Sequence, residues 1–165
     1  KNNSFQALNQ MQFGGGSRDY ADQIQSSQVL QENIIMLPYG LGIEDSIQEF
    51  YEPANKGFVS HTLRKGFKSN DSFPVHVMSL TSIMHKLNHS HIDFLKIDIE
   101  GTECDVLEDM LDNKIHPLYL SIDFDAYGQE KERVHEVYKK LKEVGYQKIY
   151  RINNDISLIN INKLK

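Results

Sequence analysis

The chain has 165 residues, 39% of them hydrophobic, which is the length of one domain with enough apolar side chain for a single core. Its formal net charge of −5, spread over interspersed acids and bases with no long basic run, excludes the electrostatic footprint of a nucleic-acid binder. A single cysteine, Cys104, excludes an intramolecular disulfide, and no apolar run approaches the ~18–20 residues of a membrane span.

Residues 1–32 are rich in Gln, Asn, Ser and Gly without a clear period, and are expected to be a poorly structured N-terminal segment ahead of an α/β domain over 33–165. "NIIMLPYGLG" (33–42) is an apolar run closed by Pro and Gly, read as a buried strand near 34–38 followed by a turn. "SIQEFYEP", "GFVSHTL" and "FPVHVMSL" then read as short, partly exposed antiparallel strands separated by turn-rich segments. "SLTSIMHKLNHS" (79–90) predicts a helix with Ser79 as N-cap and Leu80, Ile83, Met84 and Leu87 on its apolar face. A strand is expected over 93–98, then a helix near 102–112, with Thr102 and Asp105 in capping-box spacing. "HPLYLSIDFD" is a second buried strand, near 118–123. The clearest helix follows near 130–144: Val134, Val137, Tyr138, Leu141 and Val144 recur at helical spacing, and Gly145 is a fitting stop. "YQKIYRI" and "DISLINI" close the chain as two strands joined by an Asn-Asn-Asp turn.

Strands alternating with helices imply parallel pairing by right-handed crossovers, whereas the last two strands, joined by a short turn, must pair antiparallel. The expected architecture is one mostly parallel sheet with an antiparallel hairpin at its C-terminal edge. In such sheets ligands sit beyond the carboxyl ends of the strands. Asp98, Glu100 and Gly101 lie at one such end, and Asp123 and Asp125 at the next. Carboxylates there can hold hydroxyls, bind a cation or act as a general base. Acids near a helix N-terminus also satisfy the dipole and the cap with no further role, and Glu103 and Asp105 fit that reading. Asp98 does not, because it lies inside an apolar run before the turn. Lys96 shares its strand face, so an ion pair between them is available.

"IDFLKIDIEGTECDVLEDML", preceded by "VHVMSLTSIMHKL" and followed by "LYLSIDFD" and "LKEVGYQKIYRI", resembles the FkbM family of S-adenosylmethionine-dependent methyltransferases. That family carries an apolar strand ending in Asp-x-Glu-Gly-x-Glu. "LPYGLG", "EFYEP" and "VSHTL" also resemble the family's third strand and following hairpins, so the match covers roughly residues 33–160. The resemblance implies a Rossmann-like methyltransferase sheet with S-adenosylmethionine as cofactor, and no metal site is expected. It implies cofactor contacts at Gly40, Leu41, Asp98, Glu100 and Gly101. It makes Asp98 a catalytic candidate and places His61 near the active-site mouth as base for a substrate hydroxyl. The implied reaction is O-methylation of a sugar, glycan or metabolite hydroxyl.

The chain departs from the family at its start. The cofactor's Gly-rich turn is expected ~20 residues before the acid that holds the ribose. "FGGGSRDY" has no apolar strand before it and Asn33 follows Gly16 by only 17 positions, so it reads as a loop, with Asp19 and Asp22 as surface acids. The first two core strands are therefore expected to be missing and the domain to be N-terminally incomplete, inactive as this stretch alone. The alternative is a non-catalytic Rossmann-like interaction domain or degenerate remnant. Because the first residue is Lys, the chain is expected to be a piece of something longer whose upstream targeting sequence lies outside it, leaving the compartment unknown with the cytoplasm as default. His85, His89 and His91 are spaced like zinc ligands but have no completing Cys or acid, and read as helix-end histidines. Cys104 reads as a small core residue, and Tyr39, Tyr119 and Tyr127 as packing residues or pocket walls.

Overall fold

The computed structural model describes residues 34–55, 60–66, 71–125 and 128–164. Among them run seven strands and three α-helices: β1 (Gly40–Gly42), β2 (Ser46–Tyr51), β3 (Ser72–Ser79), α1 (Leu80–Lys86), β4 (Phe94–Ile97), α2 (Glu103–Asp112), β5 (Tyr119–Asp123), α3 (Lys131–Glu143), β6 (Tyr146–Ile152) and β7 (Asp155–Asn160), with a closing 3-10 turn at Ile161–Lys163. No described helix is long and apolar enough to cross a membrane. The reading of 1–32 falls outside the described residues.

The strands form two sheets, ordered β1-β3-β2 and β4-β5-β7-β6. β4 and β5 pair in parallel, with Ile97 opposite Ile122, joined through α2 as the alternation requires. β6 and β7 form the expected antiparallel hairpin, turning at Asn153, whose φ of 50° is a conformation Asn tolerates well. β7 returns between β5 and β6, so β6 is the edge. The core lies between this sheet and the helices. Leu95 and Ile97, Leu120 and Ile122, and Ile156 and Leu158 alternate inward along β4, β5 and β7 and are buried. Val106, Leu107 and Met110 of α2 and Val134, Val137 and Leu141 of α3 pack with them. The opposite sheet face is more open: Phe94 is 39% and its register partner Tyr119 40% exposed. α3 ends where Gly145 takes a φ of 103°, as its sequence signalled. Ser79 caps α1 by accepting the Ser82 N–H at 3.1 Å.

Two expectations need correction. Residues 34–38 are not a strand: Ile34, Ile35 and Met36 are exposed, and the strand lies instead at Gly40–Gly42 in the other sheet, parallel to β3. The glycines that read as a turn are there because Val77 of β3 approaches closely; a Cβ on Gly42 would meet Val77 Cγ1 at 2.5 Å. Nor is pairing mostly parallel among the described residues. β1–β3 and β4–β5 are parallel, whereas β2–β3, β5–β7 and β6–β7 are antiparallel. The returning β7 and the β2–β3 pair account for that balance. Of "GFVSHTL", the described part makes a single bridge, Thr62 to Tyr51.

Leu141 is fully buried mid-way along α3, whereas Lys139 on the same helix is exposed. Leu141→Ala is expected to cost about 2–5 kcal/mol, and Lys139→Ala less than about 0.5 kcal/mol. Chemical denaturation of the two variants checks the helix phase; equal losses would contradict it.

Candidate functional site

β4 runs out at Ile97, and the next residues make a tight strand-to-helix turn. Glu100 takes a φ of 59° and Gly101 one of 116°, two consecutive left-handed residues that swing the chain into α2. What holds this turn is Glu103. Its side chain is buried, 1% exposed, and its Oε1 accepts the Gly101 N–H at 2.7 Å. Burial pushes its pKa up to about 7, against backbone hydrogen bonds at Gly101, Glu103 and Ile99 that favour the charged form, with Asp125 adding repulsion. Glu103 is thus not the surface acid the dipole reading expects. The capping box is not formed either: Thr102 occupies the N-cap, but its side chain makes no cap bond and its hydroxyl oxygen is buried without a hydrogen-bond partner. The Glu103 carboxylate takes the local N–H group in its place.

Just past the Ile97–Ile122 pair that ends the β4–β5 register, Asp98 comes close to Asp123, and β5–β7 sets Asp123 opposite Asp155. Lys96 Nζ donates to Asp98 Oδ2 at 2.7 Å, the ion pair allowed by their shared face. With Lys96 about half exposed, the pair stabilises the fold only modestly. Its larger effect is local: Asp98 first, with Asp155 and Asp123 contributing, raises the Lys96 pKa. Burial, then the charges of Asp155, Asp98 and Glu100, raise that of Asp123. Asp98, Asp123 and Asp125 each offer an oxygen, all within 4.8 Å of one another, a spacing that could hold a metal ion. The acid-x-acid endings of two neighbouring strands therefore converge as the sequence suggested.

The other candidates sit apart from this cluster or in supporting places. Gly40 and Leu41 lie in β1, which runs along α2, with Leu41 packed against the main core. His61 is half-buried in an aromatic group on the three-stranded sheet, stacked on Phe50 at 5.3 Å and edge-on to Phe73 at 5.7 Å. Tyr39 is half-buried under the Lys86 ammonium, 5.6 Å from its ring centre, and Tyr119 is on the open sheet face. Tyr127, like Asp19 and Asp22, lies outside the described residues. His85, His89 and His91 do not converge into a metal-binding group among the described residues. Cys104 is buried with its pKa pushed up to about 12 by desolvation, as suits a small core residue.

The site also has a partner that the sequence did not signal. Arg64 Nη1 donates to the Gly101 carbonyl at 3.4 Å, and its Nη2 lies 2.7 Å from Glu130, at the N-terminus of α3. No local pattern marks a residue 37 positions upstream as a neighbour of Gly101. In comparisons with known proteins, the family model described as the Methyltransferase FkbM domain matches residues 20–148. No curated protein and no solved structure matches the chain.

Glu103 has a folded-state pKa of about 7 against an ordinary value of 4.5. Between those values the native chain keeps a proton that the unfolded chain has released. Stability is therefore expected to fall as pH rises from about 4.5 to about 7, and to be level above. Glu103→Gln, which cannot ionise, removes this component. The stability difference between wild type and variant should change by up to about 3 kcal/mol across that window. Urea unfolding at a series of pH values checks this; parallel profiles for the two proteins would refute the assignment.

Proposed function

The chain belongs to the FkbM methyltransferase domain family, and on that premise we propose that it is part of an S-adenosylmethionine-dependent enzyme methylating a hydroxyl of a sugar, glycan or other small metabolite. The observation that carries the reading is the convergence of Asp98, Asp123 and Asp125 beside the left-handed Glu100–Gly101 turn at the carboxyl ends of two parallel strands. We read the two described sheets as parts of a Rossmann-like methyltransferase sheet.

The residues present fit such a cofactor on their chemistry. The donor is a sulfonium, a cation, and the strand ends offer it a rim of carboxylates: Asp98 beside Asp123, Asp155 opposite Asp123, and Glu100, whose charge is felt at Asp123. Gly101 lets the backbone come close to a ligand at that rim. When bound, S-adenosylmethionine supplies an electrophilic methyl group for in-line displacement. In this reading Gly40, Leu41, Asp98, Glu100 and Gly101 hold it. Asp98 orients the acceptor hydroxyl and takes its proton on a carboxylate oxygen, with Lys96 partly balancing the charge. His61, packed between Phe50 and Phe73 on the three-stranded sheet, is kept as a second candidate base on the family resemblance alone. Proximity and alignment do most of the work, because methyl transfer needs little else from the protein. The substrate is a small molecule or glycan rather than nucleic acid.

The test is made in any form of the protein that binds S-adenosylhomocysteine. Asp98→Asn is expected to abolish methyl transfer or S-adenosylhomocysteine binding while leaving the melting temperature near wild type. Turnover and calorimetric affinity of the two proteins decide it, and an active Asp98→Asn would make Asp98 structural. Residues 1–165 alone are expected to show neither affinity nor turnover, since no Gly-rich turn has the right spacing in this stretch; micromolar S-adenosylhomocysteine binding would contradict that.

A further inference from the structure

We propose that Arg64 is a positioning residue for this site, acting as the second half of a clamp on Gly101 whose first half is Glu103. Glycine has the widest backbone freedom of any residue, so a Gly101 φ of 116° is kept only if its surroundings hold both adjoining peptide groups. Glu103 Oε1 holds the N–H side at 2.7 Å. Arg64 Nη1 holds the carbonyl side, at 3.4 Å. The carbonyl contact is long for a hydrogen bond, so its force depends on where the guanidinium is anchored.

That anchoring is firm. Arg64 Nη2 is 2.7 Å from Glu130 Oε1, and Glu130 Oε2 is 3.7 Å from Arg133 Nη1. Arg133 Nη2 in turn reaches Asp105 at 2.5 Å and Glu108 at 2.7 Å, both on α2. The backbone of the Arg64 loop is fixed as well: Arg64 N donates to Thr62 Oγ1 at 3.1 Å, and Thr62 is bridged to Tyr51 of β2. Arg64 therefore joins the three-stranded sheet to the turn after β4 and to the start of α3. A planar guanidinium can serve Glu130 and the Gly101 carbonyl at once through different nitrogens, which a lysine ammonium does less well. On the methyl-transfer reading, which this inference takes as its setting, the clamp keeps Glu100 and Asp98 aimed at the cofactor rim.

The experiment reads Gly101 directly and needs no methyl transfer, so its outcome is independent of whether that reading holds. In the isotope-labelled chain, amide exchange and the amide chemical shift of Gly101 are measured for wild type, Arg64→Ala, Arg64→Lys and Glu130→Gln. Core amides of Leu107 and Val137 report general loosening. Arg64→Ala is expected to speed Gly101 exchange about 10-fold or more relative to the core amides and to move its shift. Arg64→Lys should recover part of both. Glu130→Gln, which removes the anchor but leaves Arg64, should move Gly101 in the same direction by less; it decides the matter if Arg64→Ala does not fold. Gly101 unchanged, or loosened only in proportion to the core, would overturn the proposal.

Discussion

A carboxylate buried at the first residue of α2 sets the shape of everything at the candidate site. Glu103 is 1% exposed and spends its acceptor capacity on the turn before it, including the Gly101 N–H. The turn costs free energy by itself, because a left-handed non-glycine residue such as Glu100 is worth of order 1–3 kcal/mol of strain. Burying an acid costs more, which is why its pKa rises so far. Two unfavourable local choices thus offset each other: the acid supplies the acceptor that the bent backbone needs, and the backbone N–H groups solvate the acid. The core around them keeps water from doing either job, since Ile99, Cys104, Val106 and Leu107 are all buried.

Outside that buried centre, charge is arranged in two different ways. On the flank of α2 and α3, acids and bases alternate and are matched: Glu108 is held below its usual pKa by Lys140 first and Arg133 next. At the strand ends acids crowd together around Lys96, which pairs with Asp98. Asp98, Asp123 and Asp125 come within 4.8 Å of each other, and Asp123 is raised by burial and its acidic neighbours. A fold selected only for stability would separate such groups, and local rules are broken most often where a site is being built.

Much of this was legible from the sequence. Helical spacing of Val134, Val137 and Leu141 gave α3 and its buried face, and the strand–helix–strand order gave the parallel β4–β5 pair and the antiparallel closing hairpin. The repeated acid-x-acid endings gave the cluster at Asp98 and Asp123. Non-local facts were harder to read. Gly40 and Gly42 looked like turn residues because close approach of Val77 has no local signature. Glu103 looked like a dipole-compensating acid because composition at a helix start does not tell burial from exposure. Thr102 offered a capping box that a better acceptor displaced. Arg64 is joined to Gly101 by the packing of one sheet beside another, which no window of sequence contains.

The most direct test of the Glu103 constraint is its own titration, followed through the side-chain carboxyl carbon by NMR together with the Gly101 amide. The account predicts a midpoint near pH 7, with the Gly101 amide proton shifting through the same transition as its acceptor changes charge. A midpoint near the ordinary 4.5, with the Gly101 amide unresponsive, would show an exposed acid and a turn held by something else.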